Sequence, residues 1–388
     1  MTAWKTEKLS NLLAVSIGGI WGEEAGLAEI DVSVVRVTEL KAHGRIDPRS
    51  AVTRSVTLKQ LASRELQEGD LLLEKSGGGP NSPVGRVGYF FQEGTRTVCS
   101  NFMQLMRPDS TKVLPKYLFY FLDAFHSNGG TIPMQTATTN IRNIKTPRYM
   151  DIDVPVPSID EQHKIVELLE DQLSRLDAAL SDVKQAKTKA AQFRRSYIHE
   201  MTTAIEGSEV MGILDICDVY QPKTISTKEL IPDGEFPVYG ANGQIGFYDK
   251  FNHEESEVTV TCRGATCGTV NVIPAMSWIT GNAMVFRPKD SRIQKGFLEY
   301  VLRGMDWTPV ITGTAQPQIT RTSIQEVFVN VPSPDIQNDI HMKLESSLTQ
   351  VKNAALLSEK VEMQAASLRR SLLQAAFTGQ LTNEVASV

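Results

Sequence analysis

The 388-residue sequence has few of the residues and motifs that mark secreted, membrane-bound or zinc-binding proteins. Its four cysteines form no CxxC pair, and its six histidines do not cluster near them; the cysteines are Cys99, Cys217, Cys262 and Cys267. A zinc site is therefore not predicted, and free thiols fit a reducing cytoplasm. Ser, Asn and Gly dilute the apolar stretch 9–21, and no other run approaches the ~18–20 apolar residues of a membrane span. Neither a signal peptide nor a membrane helix is expected.

Motifs of phosphate-binding and catalytic proteins are missing as well. No Gly-Lys-Ser/Thr occurs, and Gly77-Gly78-Gly79 lacks the spacing of a dinucleotide fingerprint, so no nucleotide cofactor is expected. The sequence also lacks the Asn/Asp-Pro-Pro-aromatic motif of amino-methyltransferases and a Gly-x-Ser-x-Gly elbow. Its three Pro-Asp pairs, at Asp109, Asp233 and Asp335, are not followed within about 30 residues by the acidic-x-Lys of metal-dependent nucleases. The acidic pair Asp160-Glu161 is interpreted as helix capping. We predict a protein that is not an enzyme and holds no metal or cofactor.

Charge is divided unevenly along the chain. Residues 1–150 carry a net charge of +4, whereas residues 206–328 carry −5. Non-specific binding to phosphate groups normally requires a basic face. The acidic second segment therefore counts against a chain that holds nucleic acid alone.

One stretch of sequence occurs twice. VPVPSIDEQHKIVELLEDQL begins at Val154, and VNVPSPDIQNDIHMKLESSL begins at Val329, an offset of 175 residues without a gap. Over 154–203, 17 of 50 positions are identical at this offset, where unrelated sequence would give roughly 3. The stretch is therefore a duplication.

Each copy predicts the end of a strand followed by a long helix. Asp160 and Asp335 are expected to cap the two helices. No Pro or Gly occurs between Glu161 and Glu206, which allows a helix of about 43 residues and roughly 64 Å. Apolar residues recur at alternating steps of four and three, interrupted only by Lys187 and Arg194; they are Leu169, Leu173, Leu176, Leu180, Val183, Ala190, Tyr197 and Met201. The second copy keeps the pattern, so the helices are predicted to form an antiparallel coiled-coil pair with one globular domain at each end.

The segments before each long helix share an order of elements. Strands are predicted at 34–37, 71–73, 84–91 and 102–106, with a helix at 114–125 and a polar surface loop over 129–150. The second segment repeats this order around the glycine loop 263–268, and Arg287-Pro288 matches Arg107-Pro108 at an offset of 180. The predicted fold class is α+β: two homologous α/β domains joined by two long antiparallel helices, with pseudo-two-fold symmetry. The predicted boundaries are 1–153, 154–206, 207–328 and 329–388.

The motifs together resemble the specificity subunit of a type I restriction-modification system over nearly the whole chain. The resemblance is carried by VPVPSIDEQHKI with its downstream RRS, the duplicate ending RRSLLQAAFTGQL, and FPVYGANGQIGFYD leading to CRGATCGTV. The second copy departs from the first at Ile336, which replaces Glu161, and at Asn330, which replaces Pro155. These changes leave the expected fold intact and bear on the contacts at the start of the helix.

The resemblance implies a cytoplasmic DNA-recognition subunit. Two target recognition domains would each recognise one half of a split, asymmetric site in double-stranded DNA. The helices would set the spacing and dock two methyltransferase subunits, which supply the S-adenosylmethionine chemistry, and restriction subunits would join for cleavage. Arg194-Arg195 and Arg369-Arg370 would face these partners or form surface ion pairs. The alternative function is an antiparallel coiled-coil adaptor that joins proteins only, which the acidic second segment motivates.

Candidate DNA contacts are polar and basic residues of the glycine loops and of the Thr/Asn/Gln-rich loops. They are Lys75, Arg86, Asn140, Arg142, Arg263, Asn282, Gln316, Gln318 and Arg321. Arg can bond guanine edges and Asn or Gln adenine edges, while either can touch phosphate alone. A solvated loop residue without a DNA role is the alternative for each.

Overall fold

The computed structural model describes residues 4–79, 82–91, 94–138, 141–203, 205–313 and 316–381. They form two units, Met1–Ser181 together with Val361–Val388, and Asp182–Lys360. The unit limits fall within the two long helices, so each unit contains part of both helices.

The strands of the first unit form a main sheet and smaller sheets beside it. They are β1 (Thr6–Lys8), β2 (Leu13–Gly18), β3 (Ile30–Val35), β4 (Val52–Val56), β5 (Leu71–Glu74), β6 (Val87–Tyr89), β7 (Thr97–Cys99), β8 (Met103–Pro108), β9 (Gln135–Thr138), β10 (Ile141–Ile144) and β11 (Asp153–Pro155). The main sheet has the order β2-β8-β5-β6, and a second sheet has the order β4-β3-β7. β1 pairs with β11, and β9 pairs with β10.

The helices of the first unit are α1 (Leu58–Arg64), α2 (Pro115–Ser127), α3 (Thr146–Met150) and the first part of α4 (Ile159–Thr203). α2 buries Tyr117, Leu118 and Leu122, which share one helix face and contact the core that includes β5 and β6. The predicted surface loop over 129–150 is wrong in part, because it contains the β9–β10 hairpin and α3.

The second unit repeats this arrangement. Its strands are β12 (Glu209–Gly212), β13 (Cys217–Tyr220), β14 (Phe236–Gly240), β15 (Gly243–Tyr248), β16 (Glu257–Thr261), β17 (Val270–Ile273), β18 (Trp278–Ile279), β19 (Ala283–Pro288) and β20 (Phe328–Val331), and its helices are α5 (Ile213–Ile216), α6 (Lys295–Gly304) and most of α7 (Pro334–Phe377). The main sheet has the order β13-β19-β16-β17, which matches β2-β8-β5-β6 strand for strand. The predicted homology of the two segments therefore extends to sheet topology.

An ion pair with a buried carboxylate explains the repeated Arg-Pro motif. In the first unit, Arg107 Nε donates to Asp70 Oδ1 at 2.7 Å and its Nη2 donates to Oδ2 at 2.7 Å. In the second unit, Arg287 Nε donates to Glu257 Oε1 at 2.9 Å. Asp70 is 1% exposed and Glu257 2% exposed, so each carboxylate depends on its arginine for compensation of its charge. The motif therefore holds the main sheet together.

A buried glutamine ties each long helix to its domain in the same way. Gln162 Oε1 accepts from the Leu114 amide at 2.8 Å, and its Nε2 donates to the Pro157 carbonyl at 3.0 Å. Gln337 repeats these bonds with Gln294 at 2.8 Å and Pro332 at 2.8 Å. The helix-start contacts thus survive the replacement of Glu161 by Ile336, because the adjacent glutamine carries them.

The helix caps differ from the prediction. α4 begins after Ser158, whose hydroxyl accepts from the Glu161 amide at 3.3 Å. Asp160 therefore lies within the first turn, where its charge faces the positive end of the helix. α7 likewise begins after Ser333, and Asp335 lies in its first turn. Ser158 caps α4 because its short side chain reaches a free amide from outside the helix.

Within each unit, the parts of α4 and α7 run antiparallel. In the first unit Arg369 Nη1 lies 3.2 Å from Asp177 Oδ1, and Leu173 shares a core with Leu373. In the second unit Lys187 Nζ lies 3.9 Å from Glu359 Oε1. The predicted apolar stripe of α4 is buried or half-buried along its length, which confirms the coiled pairing of the helices.

No helix within the described ranges is long and apolar enough to cross a membrane. The four cysteines are free thiols, and three of them are buried. Burial raises the pKa of the Cys99 thiol to about 12, which keeps it protonated at neutral pH.

Candidate nucleic-acid interface

Three segments of the first unit are joined by main-chain hydrogen bonds into one surface. They are the glycine loop (75–79) after β5, the polar loop (135–144) formed by β9 and β10, and the strand turn (100–102) before β8. The Lys75 amide donates to the Phe102 carbonyl at 2.9 Å, and the Ile144 amide donates to the Lys75 carbonyl at 2.8 Å. The Gly77 amide donates to the Arg142 carbonyl at 3.2 Å. We call this arrangement the loop framework.

The second unit contains the same loop framework. Its glycine loop (262–268) follows β16, its polar loop covers 312–319, and its strand turn (280–282) precedes β19. The Cys262 amide donates to the Asn282 carbonyl at 3.0 Å, the Ile319 amide donates to the Cys262 carbonyl at 2.9 Å, and the Gly264 amide donates to the Pro317 carbonyl at 3.0 Å. Each of these bonds has its counterpart in the first unit.

These hydrogen bonds establish which residues of the two units correspond. Residues of the glycine loops differ by 187 in number, those of the strand turns by 180, and those of the polar loops by 175. The main-chain arrangement is therefore shared, whereas many of the side chains on it differ. The corresponding pairs are Lys75 and Cys262, Ser76 and Arg263, Phe102 and Asn282, Arg142 and Pro317, and Asn143 and Gln318.

Glycine is required where the glycine loop meets the polar loop. Gly77 and Gly264 correspond, and both have positive φ angles, 130° and 88°. Side chains are strained in that region of backbone space. At Gly78 a Cβ atom would lie 2.1 Å from the Ser82 carbonyl oxygen. The glycines thus permit the tight main-chain contacts of the framework and need no role in phosphate binding.

The structure places Lys75 and Arg142 of the first unit within the loop framework. Both side chains are half-buried, and Arg142 Nη1 donates to Gln135 Oε1 at 3.4 Å. Asn140 lies outside the described residues. The roles of these residues in binding DNA stay predictions.

Arg86 has a different environment from the other candidates. Its Nε and Nη2 donate to the Glu74 carboxylate at 2.8 and 3.0 Å, and its Nη1 donates to the Leu40 carbonyl at 3.0 Å. The hydrogen bonds to Glu74 raise the pKa of the Arg86 guanidinium. Since Glu74 is 3% exposed, a base contact by Arg86 would have to compete with a buried ion pair.

In the second unit, four candidates belong to the loop framework and all are exposed: Arg263, Asn282, Gln316 and Gln318. Arg263 and Gln318 form an antiparallel bridge, so their side chains are neighbours on one face. Arg321 is exposed in the turn that follows the polar loop. These exposed side chains can offer hydrogen-bond donors and acceptors to a ligand.

Sequence patterns missed several residues of the framework. Ser76 and Asn143 form the bridge that corresponds to Arg263 and Gln318, and Phe102 is 50% exposed in the strand turn. In the second unit, the Thr266 hydroxyl donates to Asn242 Oδ1 and thereby joins the β14–β15 turn to the glycine loop. The 175-residue offset could have identified Asn143 as the counterpart of Gln318, had it been extended upstream of the duplicated helix.

Among the described residues, no group of three His, Cys, Asp or Glu side chains could hold a metal ion. Cys262 lies at the base of the second glycine loop, where Gln221 Nε2 contacts its Sγ at 3.0 Å. Burial raises the pKa of this thiol. This buried thiol is therefore not among the side chains that the second framework exposes to a ligand.

Comparison with known families gives two matches within the chain. The family described as "Type I restriction modification DNA specificity domain" matches residues 29–188 and again residues 205–362. Each match contains one loop framework.

Individual proteins show the same similarity at low identity. The type I restriction enzyme StySPI specificity subunit of Salmonella potsdam is 24% identical over 53% of this chain, and the match spans 45% of that protein's length. The putative type I restriction enzyme MjaX specificity subunit of Methanocaldococcus jannaschii is 20% identical, with 97% of this chain and 93% of that protein covered.

Solved structures share the fold. A chain from a study of complex assembly and conformational transition in a type I R-M system has a TM-score of 0.78 and 17% identity, covering 98% of this chain and 99% of that one. The crystal structure of the HsdS subunit from Thermoanaerobacter tengcongensis has a TM-score of 0.55 and 16% identity, covering 98% of each chain. The predicted fold class is confirmed.

Proposed function

The chain belongs to the family of type I restriction modification DNA specificity domains, of which it holds two copies, and from this premise we propose how it recognises DNA. Each unit recognises one half of a bipartite, asymmetric DNA sequence through its loop framework. The chain itself performs no chemistry, and methyl transfer and cleavage belong to partner subunits.

The observation that carries the proposal is the pair of loop frameworks, in which matched main-chain hydrogen bonds present different side chains. Recognition of a base sequence depends on side chains that reach base edges, whereas the scaffold only positions them. Two similar scaffolds can therefore dock on DNA in similar ways and select different bases. An asymmetric site requires this combination.

The partners are proposed to be double-stranded DNA, two methyltransferase subunits with S-adenosylmethionine, and restriction subunits. Exposed apolar residues on the long helices support docking of protein partners. Phe193 is 56%, Leu356 56% and Leu357 61% exposed, although large apolar side chains are usually buried in a protein that works alone. Partners would also supply the positive charge that the acidic second unit lacks. A cytoplasmic location follows from a role on cellular DNA.

The experiment is a selection from duplexes of random sequence by the chain assembled with the methyltransferase subunit of its restriction-modification system. Two separated clusters of specified bases are expected, with binding that weakens as salt rises. Binding without sequence preference would contradict the proposal. A complex that assembles but does not retain DNA at low salt would instead support the protein-only adaptor, which the family match does not favour.

The long helices are proposed to set the spacer between the two half-sites. Inserting seven residues after Lys187 in α4 and seven before Glu359 in α7 keeps the apolar pattern and the antiparallel pairing at this ion pair. The insertion adds about 10 Å of helix, close to three base pairs of B-DNA. The selected spacer should lengthen while both half-sites stay unchanged. An unchanged spacer would remove the helices from this role.

A further inference from the structure

We propose that Asn143 and Gln318 are corresponding base-reading residues, and that each recognises an adenine in the half-site of its own unit. This inference rests on the proposed function and specifies the chemistry of the two loop frameworks.

The position is the same in both units. Asn143 bridges to Ser76 of the first glycine loop, and Gln318 bridges to Arg263 of the second. One residue further along the chain, Ile144 and Ile319 make equivalent hydrogen bonds, at 2.8 and 2.9 Å, to the glycine loops. The main chain therefore fixes both residues at the junction of the polar loop and the glycine loop.

The chemistry of the position is also the same, although its surroundings differ. Both residues carry a carboxamide, while the neighbours across the bridge are a serine in one unit and an arginine in the other. Among the described residues, neither the Asn143 nor the Gln318 side-chain amide has a hydrogen-bond partner. Both units thus keep a side-chain amide that makes no hydrogen bond within the described residues, although neighbouring residues have diverged. This indicates that both amides bind the same kind of ligand group.

Adenine is the base that fits a carboxamide. The amide group offers a donor and an acceptor in one plane, which match N7 and the N6 amino group at the adenine major-groove edge. Ser76 and Arg263 stand beside the two amides and would distinguish the half-sites, since arginine can bond a neighbouring guanine or phosphate and serine bonds weakly to several bases.

The test replaces the carboxamide with a carboxylate of the same shape. Asn143→Asp and Gln318→Glu remove the donor that N7 requires and leave acceptors suited to the cytosine amino group. Selection from random duplexes by the assembled complex should show, for each variant, a change from adenine to cytosine at one position of one half-site. Discrimination for adenine should fall about 5- to 150-fold, the equivalent of one bidentate base contact.

Matched controls place the same charge elsewhere. Asn128→Asp and Gln325→Glu change exposed carboxamides of the same units that lie outside the loop frameworks, and both should keep the wild-type base preference. Asn143→Gln and Gln318→Asn retain the amide and should retain adenine with weaker discrimination. Melting temperatures of all variants, compared with wild type, identify any that do not fold, and the amide-retaining pair keeps the test valid in that case.

The outcomes separate the two proposals. If the wild-type complex selects no bipartite sequence, the proposed function fails. If it selects one and both carboxylate variants keep adenine, or bind every sequence more weakly by the same factor, the two amides do not read bases and this inference fails. If both variants alter the same half-site, the assignment of one residue to each half is wrong.

Discussion

The two units of this chain agree in their interiors and differ on their loop frameworks. Gln162 and Gln337 make the same buried hydrogen bonds, and the Arg107 and Arg287 ion pairs hold the same strands. On the frameworks, several corresponding residues differ in charge, size or polarity, such as Lys75 and Cys262 or Arg142 and Pro317. After the duplication, residues whose loss would leave buried polar groups unpaired were kept, whereas residues that face solvent diverged.

A second difference shows that buried residues can also diverge between the units when residues in contact change together. At the end of α7, the ring of Phe377 packs edge-on against Tyr117 and Phe121, at 5.3 and 5.4 Å. The corresponding residue of α4 is Thr202, which packs against Gly304 of α6. A Cβ atom at residue 304 would lie 2.7 Å from the Thr202 hydroxyl oxygen. The first unit thus has an aromatic contact at this position, and the second unit has a close contact between smaller residues.

The largest expected effect comes from removing the arginine of either buried ion pair. Arg107→Met leaves Asp70 buried without its partner, and Arg287→Met does the same to Glu257. Removal of Arg107, whose side chain is 25% exposed, should cost about 3–5 kcal/mol of local stability. Removal of Arg287, which is 47% exposed, should cost less, because solvent already screens that pair. Hydrogen exchange followed by mass spectrometry should show faster exchange in β5 and β8 for the first variant and in β16 and β19 for the second.

The controls for this comparison are exposed ion pairs of the same units. Arg175→Ala and Lys343→Ala remove partners of Asp171 and Asp339, which are solvent-exposed, and each should cost about 0–1 kcal/mol. Equal exchange rates for the buried-pair and exposed-pair variants would show that the repeated Arg-Pro motif is not structural.

Replacement of the buried glutamines should have the next largest effect. Gln162→Leu leaves the Leu114 amide and the Pro157 carbonyl without their side-chain partner. Gln337→Leu does the same to the Gln294 amide and the Pro332 carbonyl. A buried group left unpaired costs about 1–3 kcal/mol, and the two variants should differ little because their contacts correspond. Urea-dependent hydrogen exchange at the starts of α2 and α6 measures both. A large loss in only one unit would mean that the duplicated contact has different roles in the two units.

Much of the fold could be predicted because duplication makes its pattern visible twice. The long helices followed from apolar spacing and from the absence of Pro and Gly, and strands near β3, β5, β6 and β8 followed from apolar runs and turn residues. The strands β1, β2, β4 and β7 were not predicted. The β9–β10 hairpin was missed because Thr136 and Asn143 pair across it without the apolar alternation that identifies strands. The caps were misassigned to aspartates because serine and aspartate both suit that position.

The candidate site was predictable in location and less so in detail. Composition identified the glycine and polar loops, but the correspondence of Asn143 with Gln318 depends on offsets that change from 187 to 180 to 175 between segments. The sequence shows the offsets of 180 and 175 but not the offset of 187, which the main-chain hydrogen bonds of the glycine loops reveal. Likewise, no sequence signal separated Arg86, which is held by a buried glutamate, from the exposed Arg263.

The smallest expected effect is a pH dependence that distinguishes the units. His253 of the second unit is 4% exposed, and burial lowers the pKa of its imidazole. The unfolded chain therefore takes up the proton at higher pH than the folded unit does. The folded unit gains stability by keeping the His253 imidazole neutral. This contribution is fully present above a pH of about 6.5 and is lost as the pH falls below that value.

His253→Gln should flatten this dependence. Glutamine can still bond the Tyr220 hydroxyl, which lies 3.0 Å from Nε2 of the histidine, but it does not titrate. Hydrogen exchange in β16 and β18, corrected for intrinsic rates between pH 7 and pH 5, should rise less with acid in the variant than in wild type. The first unit supplies the control, because burial also lowers the pKa of His126 and its acid dependence should persist in the variant. If His253→Gln removed the pH dependence of hydrogen exchange in both units at once, acid would be acting on the whole chain and not on each buried imidazole.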